Sequence, residues 1–213
     1  LMDKMAIAGF KNLFIGYDAL NDDLLKKMNK SNSFSDNIHF IKESLRVGIL
    51  PLVNVIKHTP GETIQDIKEC MENLHFLRFF YHDQTTSFRH MYVNLVLSSM
   101  NKYYKLMSDK ELTSYSVDRL ASMLPASFTP DDSRFHLFRY EKYQPKNNER
   151  WDNLIEKEEE YIQNTYTYKF FEHNGVSYYT EYCNGEEICN LTFEELEYAH
   201  VIKLTNKKVL EFG

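Results

Sequence analysis

The 213 residues are enough for one domain of ordinary size with a smaller appendage, and 43% hydrophobic against 26% charged residues is a normal balance for a chain that buries a core. A formal net charge of −6 without a dense Lys/Arg block argues against nucleic acid as a partner. No apolar run reaches the roughly 18 residues of a membrane span and no secretory leader pattern opens the chain, so no membrane association and a cytoplasmic location are expected.

Leu1, Met2, Met5, Ala6 and Ala8 follow helical spacing up to Gly9, which predicts that the sequence starts inside a helix, with further sequence before it. A short strand is expected over Leu13–Ile15. Asn21 is placed to cap a helix with Asp22 and Asp23 in its first turn and Lys26, Lys27 and Lys30 towards its end, which matches the helix dipole. A second helix is expected after Ser35, with Ile38, Ile41 and Leu45 on one stripe and Gly48 as its stop. The nearly continuous apolar run Ile49–Ile56 reads as a strand covered on both faces. Thr63 and Asp66 form a capping box for a helix whose stripe is Ile64, Ile67, Met71 and Leu74. Met91–Leu97 reads as a third strand. Strands alternating with helices at this spacing predict parallel pairing and right-handed crossovers, as in part of a (β/α) barrel.

Residues 107–148 read as a connecting, partly helical segment, with Ser116–Leu124 as its helix and Pro125, Pro130 and Pro145 as punctuation. A charged helix is expected over Glu149–Gln163, carrying Trp151, Leu154, Ile155 and Ile162; the acidic run Glu156–Glu160 reads as its solvated face. Asn174-Gly175 and Asn184-Gly185 are hairpin turn signals, so three antiparallel strands are expected between Thr165 and Leu191. Thr192 and Glu195 are a capping box for a short helix, and Lys207–Phe212 suits one more strand. The fold class is therefore α/β: residues 1–106 form half of a barrel with parallel strands, followed by a smaller α+β region with antiparallel hairpins over 149–213.

Three cysteines, Cys70, Cys183 and Cys189, are odd in number and dispersed, which suits reduced thiols; Cys183 and Cys189 could pair across a hairpin. The eight histidines show no His-Glu-x-x-His pair, and no zinc or other metal site is expected. The fifteen tyrosines and fifteen phenylalanines lack basic interleaving and read as strand and core residues.

In parallel α/β folds the reactive groups lie at the C-terminal ends of strands. Three such ends are Gly16-Tyr17-Asp18, the segment from Lys57 to Thr63, and Ser98-Ser99-Met100-Asn101. Asp18 can accept hydrogen bonds from ribose-like hydroxyls, and Pro60-Gly61 lets a backbone approach a planar ligand. Glu62 serves the ligand or only favours the helix start. The plainer reading is that Asp18 begins a turn and that Pro60, Gly61, Glu62 and Thr63 are turn and cap chemistry.

The segments AGFKNLFIGYDALNDDLLKKMNKS, GILPLVNVIKHTPGET and MYVNLVLSSMNKYYKL resemble the fourth to sixth βα units of radical S-adenosylmethionine (radical SAM) enzymes. They are most similar to the branch with a cobalamin-binding domain, which includes enzymes that mature ribosomally made peptides. The resemblance fades after about Leu106. It implies that Asp18 lies near the ribose and amino-acid part of S-adenosylmethionine, where the family usually has Glu. It further implies that Pro60, Gly61, Glu62 and Thr63 form the adenine-facing loop, and that Ser98 and Ser99 face substrate and adenine. His58 stands where the family usually has Gly.

The resemblance also implies a [4Fe-4S] cluster, S-adenosylmethionine and, in that branch, cobalamin. No two cysteines here have the spacing of the cluster loop, so the cluster ligands are expected outside this sequence. Two functions follow as expectations. One is part of a radical SAM enzyme acting on a peptide or small molecule, inactive by itself. The other is a non-catalytic module that binds a peptide or a partner through a degenerate half-barrel or an exposed strand edge. An open edge at Leu13–Gly16 predicts a homodimer.

Overall fold

The computed structural model describes residues 1–82, 88–98, 102–106, 115–117, 125, 127, 139–142 and 147–193. The chain opens with α1 (Met2–Ile7), β1 (Asn12–Phe14), α2 (Asp22–Lys27), α3 (Phe34–Arg46) and β2 (Leu50–Lys57). Next come α4 (Ile64–Asn73), a 3-10 turn (Leu74–Leu77) and β3 (His90–Asn94). β1, β2 and β3 form a parallel sheet in that order, with Asn12 opposite Leu50 and Val53 opposite His90. The expected strand–helix alternation is therefore present; the three strands do not close into a barrel.

The helix starts are set by local side chains. Asn21 accepts the Leu24 N–H at 3.1 Å, and its amide reaches the Asp66 carbonyl and Glu69, which ties α2 to α4. The second helix begins earlier than expected. Ser33, not Ser35, is its cap, because Ser33 and Asp36 satisfy each other's backbone N–H groups. Thr63 and Asp66 form the expected box on α4. The buried stripe of α4 is Ile67, Cys70 and Leu74, whereas Ile64, in its first turn, is exposed.

The core lies on one face of the parallel sheet, where Val53 and Val55 pack with Tyr17, Leu20, Leu24, Ile41, Ile67, Leu74, Trp151 and Leu154. The expectation that β2 is covered on both faces is corrected: its residues alternate between buried and half-buried. The opposite face carries Leu52 and Ile56, flanked by Phe14, Met91 and Val93, which are 65%, 45% and 40% exposed. A parallel sheet normally buries both faces.

The third expected strand divides. β3 ends at Asn94, and Leu97–Ser98 forms a separate β4 in an antiparallel sheet of order β4-β6-β5, with β5 at Tyr115–Val117 and β6 at Arg139–Lys142. Ser116 and Val117 are thus in a strand rather than the expected helix, because their pairing partner lies more than twenty residues away, beyond any local pattern. Residues 118–124 of that expected helix lie outside the described residues. A short helix α5 (Lys102–Leu106) follows β4, and α6 (Asn148–Gln163) then leads to a meander of β7 (Tyr166–His173), β8 (Val176–Cys183) and β9 (Glu186–Phe193). Asn174-Gly175 and Asn184-Gly185 take the positive φ values that their hairpins require. Thr192 is a strand residue in β9, and Glu195 and Lys207–Phe212 lie outside the described residues. No helix among the described residues is long and apolar enough to cross a membrane.

Candidate functional site at the ends of the parallel strands

Asp18 continues β1 past Gly16. Its N–H donates to the Asn54 carbonyl at 3.0 Å and its carbonyl accepts the Ile56 N–H at 2.9 Å, with φ at 61°. Because Asp18 pairs with Val55, it lies two residues, roughly 7 Å, short of the end of β2. Its buried carboxylate is in contact with the Lys30 ammonium. A Cβ on Gly16 would come within 3.3 Å of the Asp18 Oδ2, so that glycine leaves room for the pair. Asp18 is therefore an ion-paired group, not an open acceptor.

The segment after β2 is held by Glu62. One carboxylate oxygen, Oε2, accepts the backbone N–H groups of His58 at 2.9 Å and Thr59 at 3.3 Å; the other, Oε1, accepts the indole N–H of Trp151, also at 2.9 Å. His58 and Gly61 have φ of 64° and 81°. A non-glycine residue in the left-handed region costs roughly 1–2 kcal/mol, so His58 must be held there by its surroundings. Its ring is buried. Pro60 is half-buried, Gly61 and Thr63 are exposed, and nothing lies within 4 Å of a Cβ built on Gly61. Burial raises the Glu62 pKa above its ordinary value, an effect partly offset by hydrogen bonds from Trp151, His58, Asn147 and Thr59. The Glu62 carboxylate thus fastens the loop to α6, besides lying in the turn before α4.

The third predicted end does not join the other two as expected. Ser98 is in β4 opposite Arg139, not at the end of a parallel strand, and Ser99 lies outside the described residues. The parallel strand β3 stops four residues earlier, at Asn94, and the Leu95 N–H donates to the Lys57 carbonyl.

Two pairs of ionisable groups, whose members the sequence assigns to the surface or does not single out, are buried. Glu158, in the acidic run of α6, is 3% exposed, and its Oε1 lies 2.6 Å from Nδ1 of His90 and 3.2 Å from the His90 backbone N. Tyr17 packs against the imidazole at 5.1 Å between ring centroids. Burial alone would raise the Glu158 pKa, but it is held below its ordinary value by the charge and hydrogen bonds of His90. A signal was available: Trp151, Leu154, Glu158 and Ile162 share one helical stripe, so Glu158 interrupts an apolar face. Farther along, Arg78 reaches Glu181 of β8 at 2.5 Å, with both side chains nearly buried, and its guanidinium lies 4.2 Å from the Phe79 ring centroid. This pair clasps the meander to the parallel-sheet unit.

The three cysteines are free thiols. Cys70 lies in the core, where burial pushes its pKa up. Cys183 and Cys189 are on adjacent strands but pair with Glu186 and Glu181, not with each other. Among the described residues no group of three or more His, Cys, Asp or Glu is arranged to hold a metal ion. These residues do not fit a [4Fe-4S] cluster.

Comparison with protein-family models gives no match, and no curated protein matches the chain.

Proposed function

We propose that the chain supplies the adenosine-facing part of a radical SAM enzyme's barrel, the fourth to sixth βα units, and is inactive without cluster ligands from other sequence. The observation that carries this reading is the form of the parallel sheet. Helices cover one face, and the other presents the half-exposed apolar row Phe14, Leu52, Ile56, Met91 and Val93, as a barrel wall presents its inner side. The Pro60–Thr63 segment leaves the C-terminal end of the central strand with exposed backbone at Gly61, open to a flat ring. In this reading Pro60 and Gly61 face the adenine. Asp18 reaches the ribose only by sharing or releasing Lys30, and the substrate is a peptide or small molecule. S-adenosylmethionine would supply the radical precursor. The cluster, and cobalamin where the branch uses it, would be held outside these residues, in a cytoplasmic protein. Closure of the β1 edge would come from the complementary half of the barrel or from a second copy.

A second reading is favoured by the occupied carboxylates. Asp18 pairs with Lys30 and Glu62 with Trp151, as in a scaffold whose loops serve stability. The protein would then be a non-catalytic module binding a peptide or partner along an edge of the β7-β8-β9 meander.

Amide chemical shifts during titration with S-adenosylmethionine separate the two. Weak binding, because only part of a pocket is present, should move the Gly61 and Thr63 resonances first. Shifts confined to β7 or β9, or none up to the solubility limit, would overturn the first reading. Anaerobic iron and sulfide should give no stoichiometric cluster with the chain alone; a stoichiometric cluster would also overturn it.

A further inference from the structure

We propose that Trp151 is the positioning residue of the segment from His58 to Thr63, holding its left-handed backbone in place through Glu62. The chain of contacts is short, and Asn147 is a further donor to the same carboxylate. The indole N–H of Trp151 donates to Oε1 of Glu62, and Oε2 of the same carboxylate accepts the N–H groups of His58 and Thr59. Trp151 is fully buried among the core residues, so its ring cannot follow a moving loop; it fixes the carboxylate instead. His58, a non-glycine residue at φ 64°, needs such a constraint, and Gly61 at 81° supplies the freedom that the turn requires.

The arrangement links two parts of the chain that are 89 residues apart in sequence. α6 is also anchored to the start of β3 by Glu158 and His90, so a change in the seating of α6 changes the support of the loop. That the loop meets S-adenosylmethionine rests on the reading proposed above; that Trp151 positions it does not. Trp151 is the single tryptophan of the protein, which makes its emission a direct report on the contact.

The test is amide hydrogen exchange on the full chain and on Trp151→Phe, which keeps most of the buried ring and removes the donor. The His58 and Thr59 amides should exchange about ten-fold faster, the factor that loss of one hydrogen bond to a charged group corresponds to. The Asp18 and Ile56 amides, which pair within the sheet, should not change. Equal protection at His58 and Thr59 in both proteins, or a uniform increase at all four amides, overturns the proposal.

Should Trp151→Phe not fold, Glu62→Ala alters only the loop side of the contact. Its tryptophan emission should shift from that of the unaltered protein, and an unchanged spectrum overturns the proposal. Addition of S-adenosylmethionine to the unaltered protein addresses the ligand separately. A saturable emission change supports both readings. Altered exchange in the variant with no response to S-adenosylmethionine upholds Trp151 as the positioning residue and removes the ligand assignment.

Discussion

Replacement of Glu158 by alanine is expected to destabilise the protein by about 3–5 kcal/mol, because it strands a fully buried imidazole and leaves the His90 backbone N–H without its acceptor. The loss should appear as a fall in the urea midpoint with an unchanged slope. The double replacement His90→Leu with Glu158→Leu should recover most of it, since an apolar pair of similar volume requires no desolvated charge. A single variant within about 1 kcal/mol of the unaltered protein would show that the pair contributes no more than an exposed one does.

The pH dependence has the same origin. The folded state holds the Glu158 pKa below its ordinary 4.5, so the unfolded chain takes up a proton first as the solution is acidified. The contribution of Glu158 is therefore fully present above the unfolded value and is lost as pH falls through the folded one. Glu62 works in the opposite direction: its pKa is raised by burial, so its ionisation between the unfolded and folded values weakens the fold as pH rises. The acid limb of the stability profile should become shallower in the Glu158→Ala variant.

Arg78→Met is the second large effect expected. Methionine retains an apolar stem against Phe79 but leaves Glu181 buried without its cation, which again should cost about 3–5 kcal/mol. The consequence should be local before it is global. β8 joins both neighbouring strands of the meander, so the meander should lose protection from proteolysis while the β1-β2-β3 unit keeps its own. The Tyr179 hydroxyl, which donates to the same Glu181 oxygen at 2.5 Å, offers only one neutral hydrogen bond in place of a guanidinium. Equal loss of protection in both units would mean that they unfold together and that the clasp is not a separable contact.

Much of the fold was legible because its signals are local. Asn21 and Thr63 are followed at fixed offsets by the donors they satisfy, and Asn-Gly at 174–175 and 184–185 sets hairpins by backbone preference alone. Helical spacing likewise identified the faces of α3 and α6 that carry Ile41 and Leu154. Such features require no knowledge of the remainder of the chain.

The site was less legible, since a carboxylate's role depends on which charges and donors surround it in space. Asp18, Glu62 and Glu158 look equally available in sequence. Only the tertiary structure gives Asp18 to Lys30, Glu62 to Trp151 and Glu158 to His90, across separations of up to 89 residues. The division of the expected third strand between two sheets was decided in the same way, by Arg139 and Tyr140 pairing with Ser98 and Leu97. Spacing and cap chemistry by themselves determined the order of strands and helices from β1 to β3 and from α6 through the meander. The placement of buried charge was left to tertiary structure, because the cost of burying an ion is offset only by partners that the folded chain brings to it.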